Sequence, residues 1–176
     1  MYIIDKSDLA KYDISNILIN RISTAVQQKR SEEMEEKIIR EQFRKGYDCS
    51  QVVVAHYAQT MGISEETANK VAACFGGGML QADICGAFTG ALMVIGLKYG
   101  HYDSEQLLAQ KDVMMAKSAE FRKRFYEKRT TCNCKELLGY DVSTPEGFKE
   151  ALETGRMMSF CPALVKEVLE ILDEIV

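Results

Sequence analysis

Apolar residues in this chain of 176 amino acids recur three and four positions apart instead of alternating, and only two prolines interrupt them. That spacing predicts an all-α fold, a single-domain helical bundle of about six to seven helices. The length suits one domain with a core large enough to need no disulfide or metal for stability. Ile14, Ile17, Leu18, Ile22 and Val26 make one helical stripe, read as an N-terminal helical extension over residues 1–30. Met34, Ile38, Ile39 and Phe43 begin a second stripe that stops at Gly46 and opens the main domain, residues 31–176.

Start and stop signals divide that domain further. Asp48, with Gln51 three residues later, reads as a capping box for a helix to about Gln59. Ser64, followed by Glu65 and Glu66, caps the next, which stops at Gly76-Gly77-Gly78. Asp83 is the expected cap of an apolar helix to about Gly100. A long amphipathic helix should open at Asp103 and last to about Lys128, where Thr130-Thr131-Cys132-Asn133-Cys134 breaks it. Residues 135–139 read as a single turn. Thr144-Pro145 opens a short helix closed by Gly155, and Pro162 sits where the first residue of the last helix belongs.

Charge and hydropathy exclude several classes. The first six residues lack the basic and apolar regions of a secretory signal, so a cytoplasmic location is expected. The most continuous apolar stretch, residues 84–97, is too short for a membrane span, and no membrane insertion is expected. A net charge of -4 argues against a nucleic-acid partner. The basic cluster at residues 122–129 reads as a solvated helix end favoured by the helix dipole. Gly76-Gly77-Gly78 lacks the Lys-Ser/Thr that a phosphate-binding loop requires, so no nucleotide is expected. Gly86 and Gly90, four apart on one helix, read as a site of close approach by a neighbour. His56 and His101 make no catalytic case.

Six cysteines exceed what a stable intracellular domain of this size needs. On the boundaries above, Cys49, Cys85 and Cys161 fall at or next to helix N-termini, and Cys134 begins a turn. Unpaired N–H groups and the helix dipole there favour a thiolate. Counting antiparallel helices brings Cys49, Cys85 and the Cys132-Asn133-Cys134 segment to one end of the bundle, whereas Cys161 is left unplaced. Four thiolates in one place are a ligand shell for an iron-sulfur cluster or zinc. The spacings are long, however, with no Cys-x-x-Cys pair. The same residues could trade disulfides, with the Cys-x-Cys supplying a resolving thiol. Cys74, inside an apolar helix pattern, reads as a buried small hydrophobe.

The residues around these positions add a further reading. Gly46-Tyr47-Asp48-Cys49-Ser50-Gln51, Phe75-Gly76-Gly77-Gly78-Met79, the run from Cys85-Gly86-Ala87-Phe88-Thr89-Gly90 to Gly100, Cys134-Lys135-Glu136-Leu137-Leu138-Gly139 and Cys161-Pro162 occur in order. Together they resemble the C_GCAxxG_C_C family from about Glu33 onward, although the central motif here is Cys-Gly-Ala where the family label writes Gly-Cys-Ala. The resemblance implies redox activity and makes residues 31–176 a four-cysteine helical redox domain. Cys49, Cys85, Cys134 and Cys161 are then the candidate cofactor-binding and metal-ligating residues, with Cys132 a further candidate ligand. If the chain works by thiol chemistry, the same four are its catalytic residues and it is an oxidoreductase. An iron-sulfur cluster is the expected cofactor, zinc the alternative. Haem is not expected, because Cys-x-x-Cys-His is missing. The expected function is electron transfer or redox sensing with an unidentified redox partner protein. A thiol-disulfide oxidoreductase and a structural partner-binding module are the alternatives, and a homodimer is compatible with the sequence.

Overall fold

Capping chemistry decides where most of the helices begin. In a computed structural model that describes residues 35–176, α1 occupies residues 35–44 and α2 runs over Cys49–Tyr57. Asp48 at the cap is extended, and its N–H donates to Gln51 Oε1 at 3.0 Å, the reciprocal bond of a capping box. Ser64 Oγ accepts from Thr67 N–H at 3.1 Å and starts α3, Glu65–Ala72. Then come α4 (Gly86–Tyr99), α5 (Leu107–Lys128), α6 (Cys134–Leu138), α7 (Pro145–Glu153) and α8 (Arg156–Asp173). The all-α expectation holds, with eight helical segments among the described residues when the single turn α6 is counted. The expected extension over residues 1–30 lies outside the described residues.

Helix α4 is the central element. Its Ala87, Phe88, Ala91, Val94 and Ile95 are all buried, against Val53 and Val54 of α2 and Leu164, Val165, Val168, Leu169 and Leu172 of α8. Phe88 packs on Phe121 and Phe125 of α5, with ring centroids 5.2 and 5.0 Å apart. Two buried hydroxyls find backbone acceptors. Ser50 Oγ donates to the Ala72 carbonyl at 2.9 Å, and Thr89 Oγ1 to the Gly86 carbonyl at 3.2 Å. Residues 38–176 cluster as one compact unit. No described helix is long and apolar enough to cross a membrane.

Four expectations are corrected. The last helix starts at Arg156, not Pro162, because Gly155 in the left-handed region (φ +68°) stops α7 and lets a new helix begin at once. Pro162 therefore lies inside α8, where its missing N–H leaves the Met158 carbonyl without its helical donor. Arg40 Nη1 supplies one from α1, at 2.8 Å. At α4 the cap is Cys85, not Asp83, whose backbone is held in a short antiparallel pairing. At α5 the helix begins four residues after Asp103, whose carboxylate instead accepts from the Glu105 N–H in a preceding turn. Cys74 is exposed, not buried, because the chain tightens into a 3₁₀ turn over Ala73–Phe75 that swings it outward.

Basic residues at 122–129 are more engaged than a solvated helix end. Arg124 pairs with Glu120 at 2.9 Å and with Glu174, while Arg129 forms a two-point pair with Glu167 at 3.0 and 2.8 Å.

Candidate redox site

The triple glycine ends the α3 segment and leads into a left-handed turn over Gly78–Ala82. Gly77 and Gly78 have positive φ, as do Met79, Leu80 and Ala82, an arrangement that non-glycine residues adopt only when their surroundings impose it. The Asp83 N–H closes the turn on the Gly78 carbonyl at 3.0 Å. A side chain at Gly78 would lie 2.8 Å from Cys134 Cβ, so this glycine lets the turn sit against α6. After the turn, Ile84 and Asn133 form an antiparallel bridge. Its flanking bonds run from Cys134 N–H to the Asp83 carbonyl (2.5 Å) and from Cys85 N–H to the Cys132 carbonyl (2.8 Å).

That pairing brings three cysteines together. Cys85 occupies the N-cap of α4, where its side chain makes no cap hydrogen bond but the backbone N–H groups of Ala87 and Phe88 favour its thiolate. Cys134 is the first residue of α6, whose cap Asn133 accepts from the Glu136 N–H at 3.1 Å. Cys49 is the first residue of α2 and abuts α4: a side chain at Gly86 would lie 3.2 Å from Cys49 Cβ. Cys161, for which helix counting gives no route, arrives from the second turn of α8 and is the largest influence on the Cys49 thiol. The charges of Cys161, Cys85 and Cys134 all act on Cys49. All six cysteines are free thiols.

Electrostatically the outcome inverts the expectation from helix N-termini. The Cys49 thiol is pushed well up by its hydrogen bond with Cys161, then by burial and the other cysteines. Burial pushes Cys85 up to about 11 despite the N–H groups of Ala87 and Phe88, which pull the other way. Burial and the charges of Cys85 and Cys161 take Cys134 up to about 12. Cys161, in mid-helix, is the one pulled down, by the Cys49 hydrogen bond and then by the charge of Arg156. A helix terminus favours a thiolate by a fraction of the cost of removing it from water.

Arg156 is a residue that sequence patterns did not single out. It stacks over Phe160 with its guanidinium carbon 4.4 Å from the ring centroid, and its Nε donates to the Leu138 carbonyl at 3.2 Å. It ties the C-terminal end of α6 to the first turn of α8. Only the early start of α8 places it there. Tyr126 is the second such residue: Cys132 beside it pushes its phenol up.

The donor set of four thiols has the chemistry of an iron-sulfur or zinc shell. Yet as the side chains are placed, no group of three or more His, Cys, Asp or Glu among the described residues could hold a metal ion.

A family model described as "Putative redox-active protein (C_GCAxxG_C_C)" matches residues 47–175. Comparison with curated proteins and with solved structures returns no match.

Proposed function

Since the chain belongs to this redox-active family, we propose that it is a thiol-disulfide redox protein whose working pair is Cys49 and Cys161. The observation that carries this reading is the approach of these two thiols, 112 positions apart in the chain and brought near each other by α2 and α8, so that each is the largest influence on the other's protonation. Two neighbouring thiols, one of them favoured as the thiolate, are the starting arrangement for exchange with a disulfide. Cys161, favoured as the thiolate, attacks one sulfur of an oxidised partner and displaces its other sulfur as a thiolate. Cys49 then gives up its proton and attacks Cys161, releasing the partner's second thiol. The protein loses two electrons to the partner disulfide, and the proton count balances in the two thiols formed. Cys85 and Cys134, protonated and buried, are the reserve thiols beside the pair. Such chemistry suits a reducing compartment, and we place the protein in the cytoplasm.

Differential alkylation before and after mild oxidation with diamide tests this. The expected product is a peptide linked through Cys49 and Cys161. Full alkylation of both after oxidation would remove the proposal.

A second reading rests on a separate observation. Cys85 and Cys134 raise Cys49, Cys161 raises Cys85, and both Cys85 and Cys161 raise Cys134, a mutual repulsion that a bound cation or cluster would relieve. On this reading Cys49, Cys85, Cys134 and Cys161, with Cys132 nearby, turn toward an iron-sulfur cluster or zinc and serve electron transfer or redox sensing. Metal analysis and a visible spectrum on anaerobically purified, reconstituted protein decide it. Neither iron nor zinc in stoichiometric amount would rule it out.

A further inference from the structure

Cys132 lies outside the four cysteines of the family motif, but its place in the backbone gives it a partner. The bridged pair Ile84 and Asn133, with the two flanking bonds, sets an antiparallel register in which Cys85 stands directly opposite Cys132. Residues directly opposed in an antiparallel pair have Cα atoms ~4.5–5.5 Å apart and side chains on one face. That separation lies inside the roughly 4.4–6.8 Å that a disulfide spans. The charge of Cys132 does act on the Cys85 thiol, as side chains sharing a face require.

Access to solvent separates the two. Cys85 is 5 % exposed, whereas Cys132 is partly exposed and acts on the phenol of Tyr126, itself 46 % exposed. A reactant from outside therefore meets Cys132 before Cys85. At Cys85 the N–H groups of Ala87 and Phe88 are already in place for the sulfur once its proton leaves.

We propose that Cys132 is an entry thiol, which takes a disulfide from an outside reactant and passes the oxidation to buried Cys85 by forming a Cys85–Cys132 disulfide across the antiparallel pair. The proposal deepens the thiol-disulfide reading above and rests on it. In the first step Cys132 loses its proton to solvent and attacks one sulfur of a low-molecular-weight or protein disulfide. The old sulfur-sulfur bond breaks, a mixed disulfide forms on Cys132, and the first thiol leaves. In the second, Cys85 loses its proton and attacks the Cys132 sulfur, expelling the second thiol. The reactant gains two electrons and becomes two thiols, and the cysteine pair loses two.

The test uses the full chain carrying Cys74→Ser, which removes the exposed thiol of the 3₁₀ turn, with 5,5′-dithiobis(2-nitrobenzoate) as the reactant. The expected products are both thionitrobenzoate groups and a peptide linked through Cys85 and Cys132. Cys132 and Cys134 share the tryptic peptide of residues 130–135, so fragment ions on either side of Asn133 locate the link. Adding Cys85→Ser should leave the mixed disulfide standing on Cys132. Adding Cys132→Ser should slow modification of Cys85 by on the order of tenfold or more, through loss of the intramolecular step. Circular dichroism checks that each variant is folded, and the linked peptide needs no variant at either position.

Modification of Cys85 at an unchanged rate without Cys132 would overturn the proposal, as would a link from Cys134 in place of Cys132. Failure of the two readings is distinguishable. A Cys85–Cys132 link without a Cys49–Cys161 link supports the entry thiol and sinks the working pair. The converse keeps the working pair and sinks the entry thiol.

Discussion

Two glycines on α4 offer a matched experiment on what holds the cysteine-bearing helices together. Gly90 and Gly96 lie on the same helix, and replacing either with alanine brings the same gain in helix propensity, about 1 kcal/mol. Their surroundings differ. A methyl group at Gly96 meets nothing within 4 Å, so Gly96→Ala should stabilise the protein by that amount. At Gly90 the methyl would lie 3.0 Å from Val53 Cβ, 3.1 Å from the Ser50 carbonyl oxygen and 3.2 Å from Ser50 Cα. Two of those three atoms are backbone of α2 and the third is bonded directly to it, so none can turn aside as the end of a side chain would. Overpacking of this kind costs about 1–3 kcal/mol, so Gly90→Ala should come out between neutral and about 2 kcal/mol destabilised. The two variants should thus differ by about 1–3 kcal/mol, a separation in Tm of roughly 2–12 °C for a chain of this size. Thermal and urea unfolding followed by circular dichroism measures it. The same displacement moves the start of α2, so Gly90→Ala should also change the rate at which Cys49 and Cys161 are linked by diamide, and Gly96→Ala should not. If Gly90→Ala stabilises the protein as much as Gly96→Ala, the close approach of α2 and α4 is not what the glycine serves and the reasoning fails.

Other perturbations address the remaining parts of the structure. Arg40→Ala removes the donor to the Met158 carbonyl and should cost about 1–2 kcal/mol by urea unfolding, whereas in a Pro162→Ala background, where α8 regains its own N–H, the loss should be smaller. Asp141 is held down at about 2 by hydrogen bonds from Lys135 and Ser143, so its contribution is complete above its ordinary value of 3.8 and is lost as the pH falls from there through about 2. Asp141→Asn should flatten the acid limb of a pH–stability curve in that window. Cys161 is lowered by the Cys49 hydrogen bond and then by Arg156, so the pH midpoint of its alkylation by iodoacetamide should move upward in Cys49→Ser and, by less, in Arg156→Gln. A midpoint unchanged in both variants would mean that neither group supports the thiolate. Cys85 and Cys134, at about 11 and about 12, should alkylate far more slowly near neutral pH than exposed Cys74.

Much of the scaffold is written in near-neighbour signals. Gln51 reaches back to Asp48, Ser64 accepts from Thr67, Thr144 Oγ1 accepts from Gly147, and Gly155 stops α7, each within a few residues of itself. Such interactions survive any change in the rest of the fold, which is why a pattern of caps, stops and apolar spacing suffices for an all-α chain. The same is true of the motif that marks Cys49, Cys85, Cys134 and Cys161 as belonging together.

What the tertiary structure alone decides depends on groups far apart in the chain. Pro162 has the local signature of a helix start, yet it lies within α8 because Arg40, from another helix, serves the carbonyl it leaves open. Asp83 has the signature of a cap, but its carbonyl accepts from the Cys134 N–H and its own N–H closes the preceding turn, and the cap passes to Cys85. The charge order of the thiols is the clearest case. Local signatures make Cys49, Cys85 and Cys161 the favoured thiolates, with Cys134 beginning a turn; burial and the approach of the other thiols reverse this for Cys49, Cys85 and Cys134, while Cys161 is pulled down from mid-helix by Cys49 and Arg156, not by a helix N-terminus. Desolvation and the approach of a second thiol are set by packing across the whole domain, and no window of sequence contains them.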